Sequence, residues 1–143
     1  MTDSRAIVVV FGATGRQGGG VVRALRVQGK FRVRAVTRSA DRAAGLEADE
    51  VVVADLTKPE TLDAAFAGAH GAFVVTNFWD GPGVDELAQA RAAVMAAKAA
   101  GVKHFVWSTL PNVEEISGGK FEVKHFTEKA KADRLVSAAG FPW

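Results

Sequence analysis

A glycine-rich segment is the strongest chemical signal in this sequence. The apolar run Val8–Phe11 leads into glycines at three-residue spacing, and a helical pattern follows. A helix N-terminus carries unpaired N–H groups and a partial positive charge, so it can bind a phosphate that no side chain obstructs. Between a buried strand and an amphipathic helix, such a segment predicts a dinucleotide pyrophosphate site rather than a ligand-free tight turn. The candidate contacts are Gly12, Thr14, Gly15, Arg16, Gln17 and Gly18.

The segment Thr37-Arg38-Ser39 bears on which dinucleotide binds. It follows the second predicted strand, where an NAD site usually carries an acid that accepts a hydrogen bond from the ribose 2′-hydroxyl. The Arg38 guanidinium can instead pair with a 2′-phosphate through two N–H donors. Thr37 and Arg38 therefore favour NADP(H) over NAD(H), and Arg16 could reach the same phosphate or the pyrophosphate. The alternative is that Arg38 is a solvated surface residue.

Polar and aromatic residues follow the third, fourth and fifth predicted strands, whose carboxyl ends share one edge of a parallel sheet. Asp55 could accept a hydrogen bond from the adenine amino group, or it could belong to a turn or a helix cap. Asn77 could bond to the ribose on the nicotinamide side, while Phe78 and Trp79 could form a pocket wall or cover a loop. The candidates at these strand ends are Asp55, Leu56, Thr76, Asn77, Phe78 and Ser108.

His125 and Lys129 stand four residues apart on the last predicted helix, so they share one of its faces. That helix follows the fifth strand and so lies next to the expected cofactor crevice. On spacing alone, a solvated face of balanced charges is the simpler interpretation, because acidic residues accompany the lysines of this helix. The histidines of the chain show no spacing typical of a metal site.

Composition narrows the function classes. The chain has 143 residues, 48% of them hydrophobic, with a net charge of +2 and no cysteine or tyrosine. The net charge is too small to predict binding to nucleic acid or to an anionic membrane. Without cysteine the chain can form no disulfide, and a cytoplasmic protein is the default expectation. Without tyrosine, no mechanism that needs a tyrosine general acid is available.

Alternating strand and helix patterns predict an α/β fold, a doubly wound parallel sheet of the Rossmann type. The second strand alternates apolar and charged residues, so we expect it to be less buried than the first. Thr57 is expected to cap the helix that follows the third strand. The predicted strands cover residues 6–11, 31–36, 50–54, 71–76 and 102–107, and the predicted helices 15–28, 41–46, 62–66, 85–100 and 120–139.

The segment Phe141-Pro142-Trp143 stands where a doubly wound sheet would begin its sixth strand. We therefore expect that residues 1–143 form one dinucleotide-binding domain, truncated before that strand and before a C-terminal domain. A natural five-stranded domain is the alternative.

Four segments of the chain resemble the NmrA-like family, whose members are atypical relatives of the short-chain dehydrogenases. They are Gly12–Gly18, Val36-Thr37-Arg38, Val74–Trp79 and the pattern His125-Phe126-x-x-Lys129-x-x-x-Asp133. The resemblance runs over nearly the whole chain and looks closest to the branch that includes a human NADP(H) redox sensor. It implies a Rossmann domain that carries NADP(H), followed by a smaller C-terminal domain that contributes most of any substrate pocket.

The resemblance also implies roles for three residues. Catalytic relatives use a Tyr-x-x-x-Lys pair and a serine at the end of the fifth strand, which correspond here to His125, Lys129 and Ser108. Lys129 is thereby implied as a cofactor contact near the nicotinamide ribose, and His125 is the candidate proton donor. Two functions follow as hypotheses: a redox sensor that passes its state to a protein partner, and an NADPH-dependent reductase of a small carbonyl, quinone or enone. A homo-oligomer is left open.

Overall fold

The computed structural model describes residues 2–142 and contains five strands and five α-helices. Short 3-10 helices at Ala40–Ala43 and Pro59–Thr61 accompany them. The strands are β1 (Ile7–Val10), β2 (Arg32–Thr37), β3 (Glu50–Val53), β4 (Ala69–Val74) and β5 (His104–Trp107). The helices are α1 (Arg16–Gln28), α2 (Leu62–Phe66), α3 (Glu86–Ala99), α4 (Val113–Ile116) and α5 (Lys124–Ala138).

The strands form one parallel sheet in the order β3-β2-β1-β4-β5. β1 lies in the middle, and the chain winds outward from it twice, first through β2 and β3 and then through β4 and β5. The predicted doubly wound α/β fold is therefore confirmed. Because all strands run in the same direction, the loops after their carboxyl ends meet at one edge of the sheet.

Each face of the sheet carries its own core. Val10 is fully buried against Val22 of α1, whereas Val9 is fully buried on the opposite face with residues of α2 and α3. Successive strand residues point to opposite faces, so this apolar run can fill both cores at once. α5 packs against α3 on the side of Val9.

The expectation for β2 was wrong: its last five residues, Val33–Thr37, are all buried. Arg34 is only 7% exposed because its guanidinium donates to the carbonyl oxygens of Ala65 and Ala67 and pairs with Glu50 of β3. A charged residue in a strand is therefore compatible with burial when distant groups supply its partners.

The connections after β2, β3 and β5 also differ from expectation. Thr57 does not cap the following helix; its N–H and hydroxyl both donate to the Asp55 carboxylate, so Asp55 is the residue that organises this turn. The helix predicted over 41–46 is a 3-10 turn at Ala40–Ala43. The final helix begins at Lys124 rather than residue 120, and α4, capped by Asn112, precedes it.

Phe141 packs on the edge of the core, with its ring stacked 4.8 Å from that of Phe105. Neither Phe141 nor Pro142 belongs to a strand, and Trp143, the third residue of the segment where a sixth strand was expected to begin, lies outside the described residues. Within residues 2–142, no helix has the length and apolar character needed to cross a membrane.

Candidate functional site

A cleft of about 1260 Å³ lies along the carboxyl ends of the strands. Every residue that the sequence predicts as a cofactor contact lines it, as does His125. Ser108 does not line the cleft; its hydroxyl donates to the side-chain oxygen of Gln17, 2.7 Å away, which joins the end of β5 to the first turn of α1. Of the three residues proposed for catalysis, His125 and Lys129 thus line the cleft, whereas Ser108 is hydrogen-bonded to a residue that does.

The glycine segment has a steric requirement at two of its positions. Gly12 adopts a φ of +63°, in the left-handed region that favours glycine, and a Cβ there would press on Val75. A Cβ at Gly18 would overlap the backbone carbonyl of Gly12, so only glycine lets α1 approach β1 this closely. Gly15 is the N-cap residue of α1 and offers no side chain to the cleft.

The first turn of α1 suits an anionic ligand. No side chain caps this helix and its first turn holds no acid, so its N–H groups face the cleft without an internal anion. Arg16 adds a full positive charge at the same place. A glycine-rich turn at a helix N-terminus, with an arginine beside it, fits the pyrophosphate of a dinucleotide.

Arg38 is held by a carboxylate from the loop after β4. Its Nη1 donates to Asp80 Oδ2 at 2.9 Å and its Nη2 to Asp80 Oδ1 at 3.3 Å. The amide of Asn77 donates to Asp80 Oδ1 at 3.0 Å. Asp80 therefore brings together two residues that the sequence assigns to the cofactor.

Asp55 lies near Arg38 and stays ionised. Partial burial raises the pKa of its carboxyl, but hydrogen bonds from Thr57 and the positive charges of Arg38 and Lys58 outweigh that effect, so the net pKa is below the ordinary value. Asp55 can therefore accept, but not donate, a hydrogen bond in the cleft near neutral pH.

Lys129 reaches the cleft from α5 but is only 8% exposed. Its ammonium donates to the Thr76 carbonyl oxygen at 2.5 Å, to the Thr76 hydroxyl at 3.0 Å and to Glu86 Oε1 at 2.5 Å. An ammonium has three N–H donors, and these contacts use all of them. Glu86 is 1% exposed and also accepts a hydrogen bond from the Thr76 hydroxyl.

His125 is part of an aromatic cluster rather than a hydrogen-bonded one. Its ring centroid lies 5.9 Å from Phe78, 5.3 Å from Trp79 and 4.9 Å from Phe126. Phe78, Trp79 and His125 line the cleft, and Trp79 remains 73% exposed, so this cluster keeps contact with solvent. Asp133, the last residue of the family pattern on α5, accepts a hydrogen bond from the Trp107 indole and has a structural role.

Sequence reasoning missed several residues of the site. Arg42 lines the cleft from the 3-10 turn after β2, and its position four residues after Arg38 was an available signal. Gln89 is buried on the cleft side of α3, and Asp80 and Glu86 make the ion pairs described above. No local pattern reveals either pair, because the partners are 42 and 43 residues apart.

The model of the NmrA-like family matches residues 4–143. This chain belongs to the NmrA-like family. Among curated relatives, it is 43% identical over 143 residues to the NmrA-like family domain-containing oxidoreductase FrzB of Cladobotryum sp, covering 94% of this chain and 43% of FrzB. The chain thus spans less than half the length of the curated relatives that it matches.

Solved structures agree with the fold. The structure of NmrA, a negative transcriptional regulator, in complex with NADP matches with a TM-score of 0.82 and 26% identity, over 98% of this chain and 44% of that one. The same regulator in complex with NAD matches with a TM-score of 0.81, 26% identity and the same coverage. The triphenylmethane reductase of Citrobacter sp. complexed with NADP(H) matches with a TM-score of 0.72 and 26% identity, over 95% of this chain and 46% of that one. A nicotinamide dinucleotide is thus the ligand that these neighbours share.

Proposed function

We propose that residues 1–143 form the dinucleotide-binding domain of an NmrA-like redox sensor, which binds NADP(H) without tyrosine-dependent catalysis. The observation that carries the proposal is the state of Lys129. In catalytic relatives the corresponding lysine assists a tyrosine, whereas here its three donors are bound to Glu86 and Thr76 and the chain holds no tyrosine.

Three features support the dinucleotide itself. The glycine segment leaves an anion cradle at the start of α1, and all fourteen predicted contacts line one cleft. The neighbours NmrA and triphenylmethane reductase carry such cofactors in their complexes. In our assignment the pyrophosphate lies on Gly12–Gly18, the adenosine lies near Arg38, Asp55 and Leu56, and the nicotinamide half lies near Thr76, Asn77 and Phe78.

A preference for NADP(H) rests on positive charge after β2. Arg38 and Arg42 both line the cleft there, and no acid stands in β2 to accept from a 2′-hydroxyl. The NmrA complexes include both NADP and NAD, so similarity to NmrA does not indicate which of the two cofactors is preferred.

The test is a set of binding isotherms for NADPH, NADP⁺, NADH and NAD⁺. A sensor needs different affinities or different conformations for the reduced and oxidised cofactor. We expect NADPH and NADP⁺ to differ in affinity or in the tryptophan fluorescence of the complex. Indistinguishable affinities and spectra for the two forms would contradict a sensor.

An NADPH-dependent reductase of a small carbonyl, quinone or enone is the second candidate. His125 favours it, because its imidazole lines the cleft and stands where the resemblance places the tyrosine, and histidine is the side chain that most often transfers protons in enzymes. NADPH oxidation by the full-length protein with such substrates is the test, with His125→Phe as the variant that keeps the aromatic cluster. Turnover that disappears in this variant would favour the reductase over the sensor.

A cytoplasmic location, a regulatory protein partner, a homo-oligomer and the likeness to the human redox sensor stay predictions.

A further inference from the structure

Asp80 occupies the place where a cofactor phosphate is expected. Its carboxylate accepts from both terminal nitrogens of Arg38 and from the amide of Asn77. A guanidinium binds a carboxylate or a phosphate through the same pair of parallel N–H donors. While Arg38 holds Asp80, those two donors cannot hold a 2′-phosphate.

Charge makes this competition selective. The 2′-phosphate of NADP(H) is an anion, so the Asp80 carboxylate repels it, and the nearby ionised Asp55 adds to the repulsion. NAD(H) has an uncharged hydroxyl at the same position and neither competes for the Arg38 donors nor meets this repulsion. Asp80 therefore weakens the binding of NADP(H) and leaves the binding of NAD(H) unchanged.

The Arg38–Asp80 pair is also the kind of contact that a ligand can replace. The two side chains are 48% and 27% exposed, and they line a recess of about 700 Å³ together with Ser39, Arg42 and Trp79. An exposed ion pair contributes little to the stability of the fold, so replacing it with an arginine–phosphate contact costs little free energy.

On these grounds we propose that Asp80 is a specificity-determining residue of the cofactor site: it acts as an internal competitor of the 2′-phosphate and holds down the selectivity for NADP(H) over NAD(H). The inference rests on the proposed dinucleotide site. It also gives the loop after β4 a response to the phosphate, because binding of NADP(H) breaks the contacts that join Asp80 of this loop to Arg38.

The experiment compares Asp80→Asn with wild type by calorimetric titration of NADP⁺ and NAD⁺. We expect the affinity for NADP⁺ to rise roughly three- to tenfold and that for NAD⁺ to stay within about twofold. Asp63→Asn removes the same charge from an exposed position on α2 that does not line the cleft, so it should change neither affinity. Thermal unfolding of each variant checks that the fold is intact.

A double-mutant cycle with Arg38→Gln isolates the competition for the guanidinium. If Asp80 acts through Arg38, the gain from Asp80→Asn should shrink in the Arg38→Gln background. An equal gain for NAD⁺, or a loss of NADP⁺ affinity, would overturn the inference alone. Failure of every variant to bind either dinucleotide would overturn the proposed function together with it.

Discussion

Two ion pairs border the cleft, and they differ most in their exposure to water. The side chains of Lys129 and Glu86 are 11% and 0% exposed, whereas those of Arg38 and Asp80 are 48% and 27% exposed. A buried charge that loses its partner has no water to replace it, while an exposed charge does. The buried pair therefore belongs to the architecture of the site, and the exposed pair can be exchanged for a ligand.

The largest expected effect is on the buried pair. Replacing Glu86 by Ala leaves the Lys129 ammonium buried without its counter-ion, which should lower the free energy of unfolding by about 3–5 kcal/mol. Urea denaturation measures it. The double variant Glu86→Leu with Lys129→Met removes both charges and should recover most of the loss. A single variant as stable as wild type would show that water reaches this pair, and the contrast between the two pairs would disappear.

Gly18→Ala tests how much stability depends on close packing, rather than on charge, at the base of the cleft. The new Cβ would overlap the Gly12 carbonyl, and we expect a loss of about 1–3 kcal/mol in stability and loss of dinucleotide binding. Gly20→Ala is the matched control, because the nearest atom to its Cβ is 3.9 Å away, at the tip of Arg23. That helical substitution should stabilise the protein by about 1 kcal/mol. Similar effects of the two variants would contradict the packing argument.

The exposure of Asp49 lies between those of Glu86 and Asp80. Its side chain is 16% exposed and pairs with Arg5 and Arg26. Burial raises the pKa of this carboxyl, but hydrogen bonds from the Val33 N–H and the two arginines outweigh it, so the folded-state pKa lies below the ordinary 3.8. Its contribution is therefore complete above about pH 4 and is lost as the pH falls through the folded-state value.

Asp49→Asn should cost about 1–2 kcal/mol near neutral pH and reduce the acid-dependent loss of stability. Urea unfolding between about pH 6 and about pH 3 measures both effects. If the free energy of unfolding falls as steeply with pH in the variant as in wild type below about pH 4, the acid-dependent loss does not come from Asp49.

The smallest effect on stability is expected at the exposed pair. Asp80→Ala should change the free energy of unfolding by less than about 1 kcal/mol, and added salt should reduce the difference further. Thermal unfolding at low and high ionic strength measures it. A loss as large as that of Glu86→Ala would mean that Asp80 holds the loop in place, and a ligand could not readily displace it.

The doubly wound α/β fold was predictable because strand and helix patterns alternate along the chain with short connections between them. The burial of Arg34 was not, since its partners are the carbonyl groups of Ala65 and Ala67 and the side chain of Glu50. A pattern of alternating charge describes one strand, whereas burial depends on what the neighbouring elements bring to it.

The cleft was predictable in outline for a related reason, because topology alone places strand ends together. The ion-pair partners of the charged residues at the cleft were not predictable. Glu86 stands in the first turn of α3, where an acid is ordinarily a solvated partner of the helix dipole, yet it is buried against Lys129. Local sequence therefore identifies which residues reach the cleft and says little about which of them neutralise one another.

The central place of β1 has a consequence for how the chain acquires its structure. β1 forms its second ladder with β4, which pairs Val8 with Gly71. Parallel strands cannot close through a short hairpin, and pairings between distant residues are slow to form. During synthesis one edge of the apolar β1 therefore stays unpaired until β4 has left the ribosome, and an unpaired strand edge makes a nascent chain prone to aggregation.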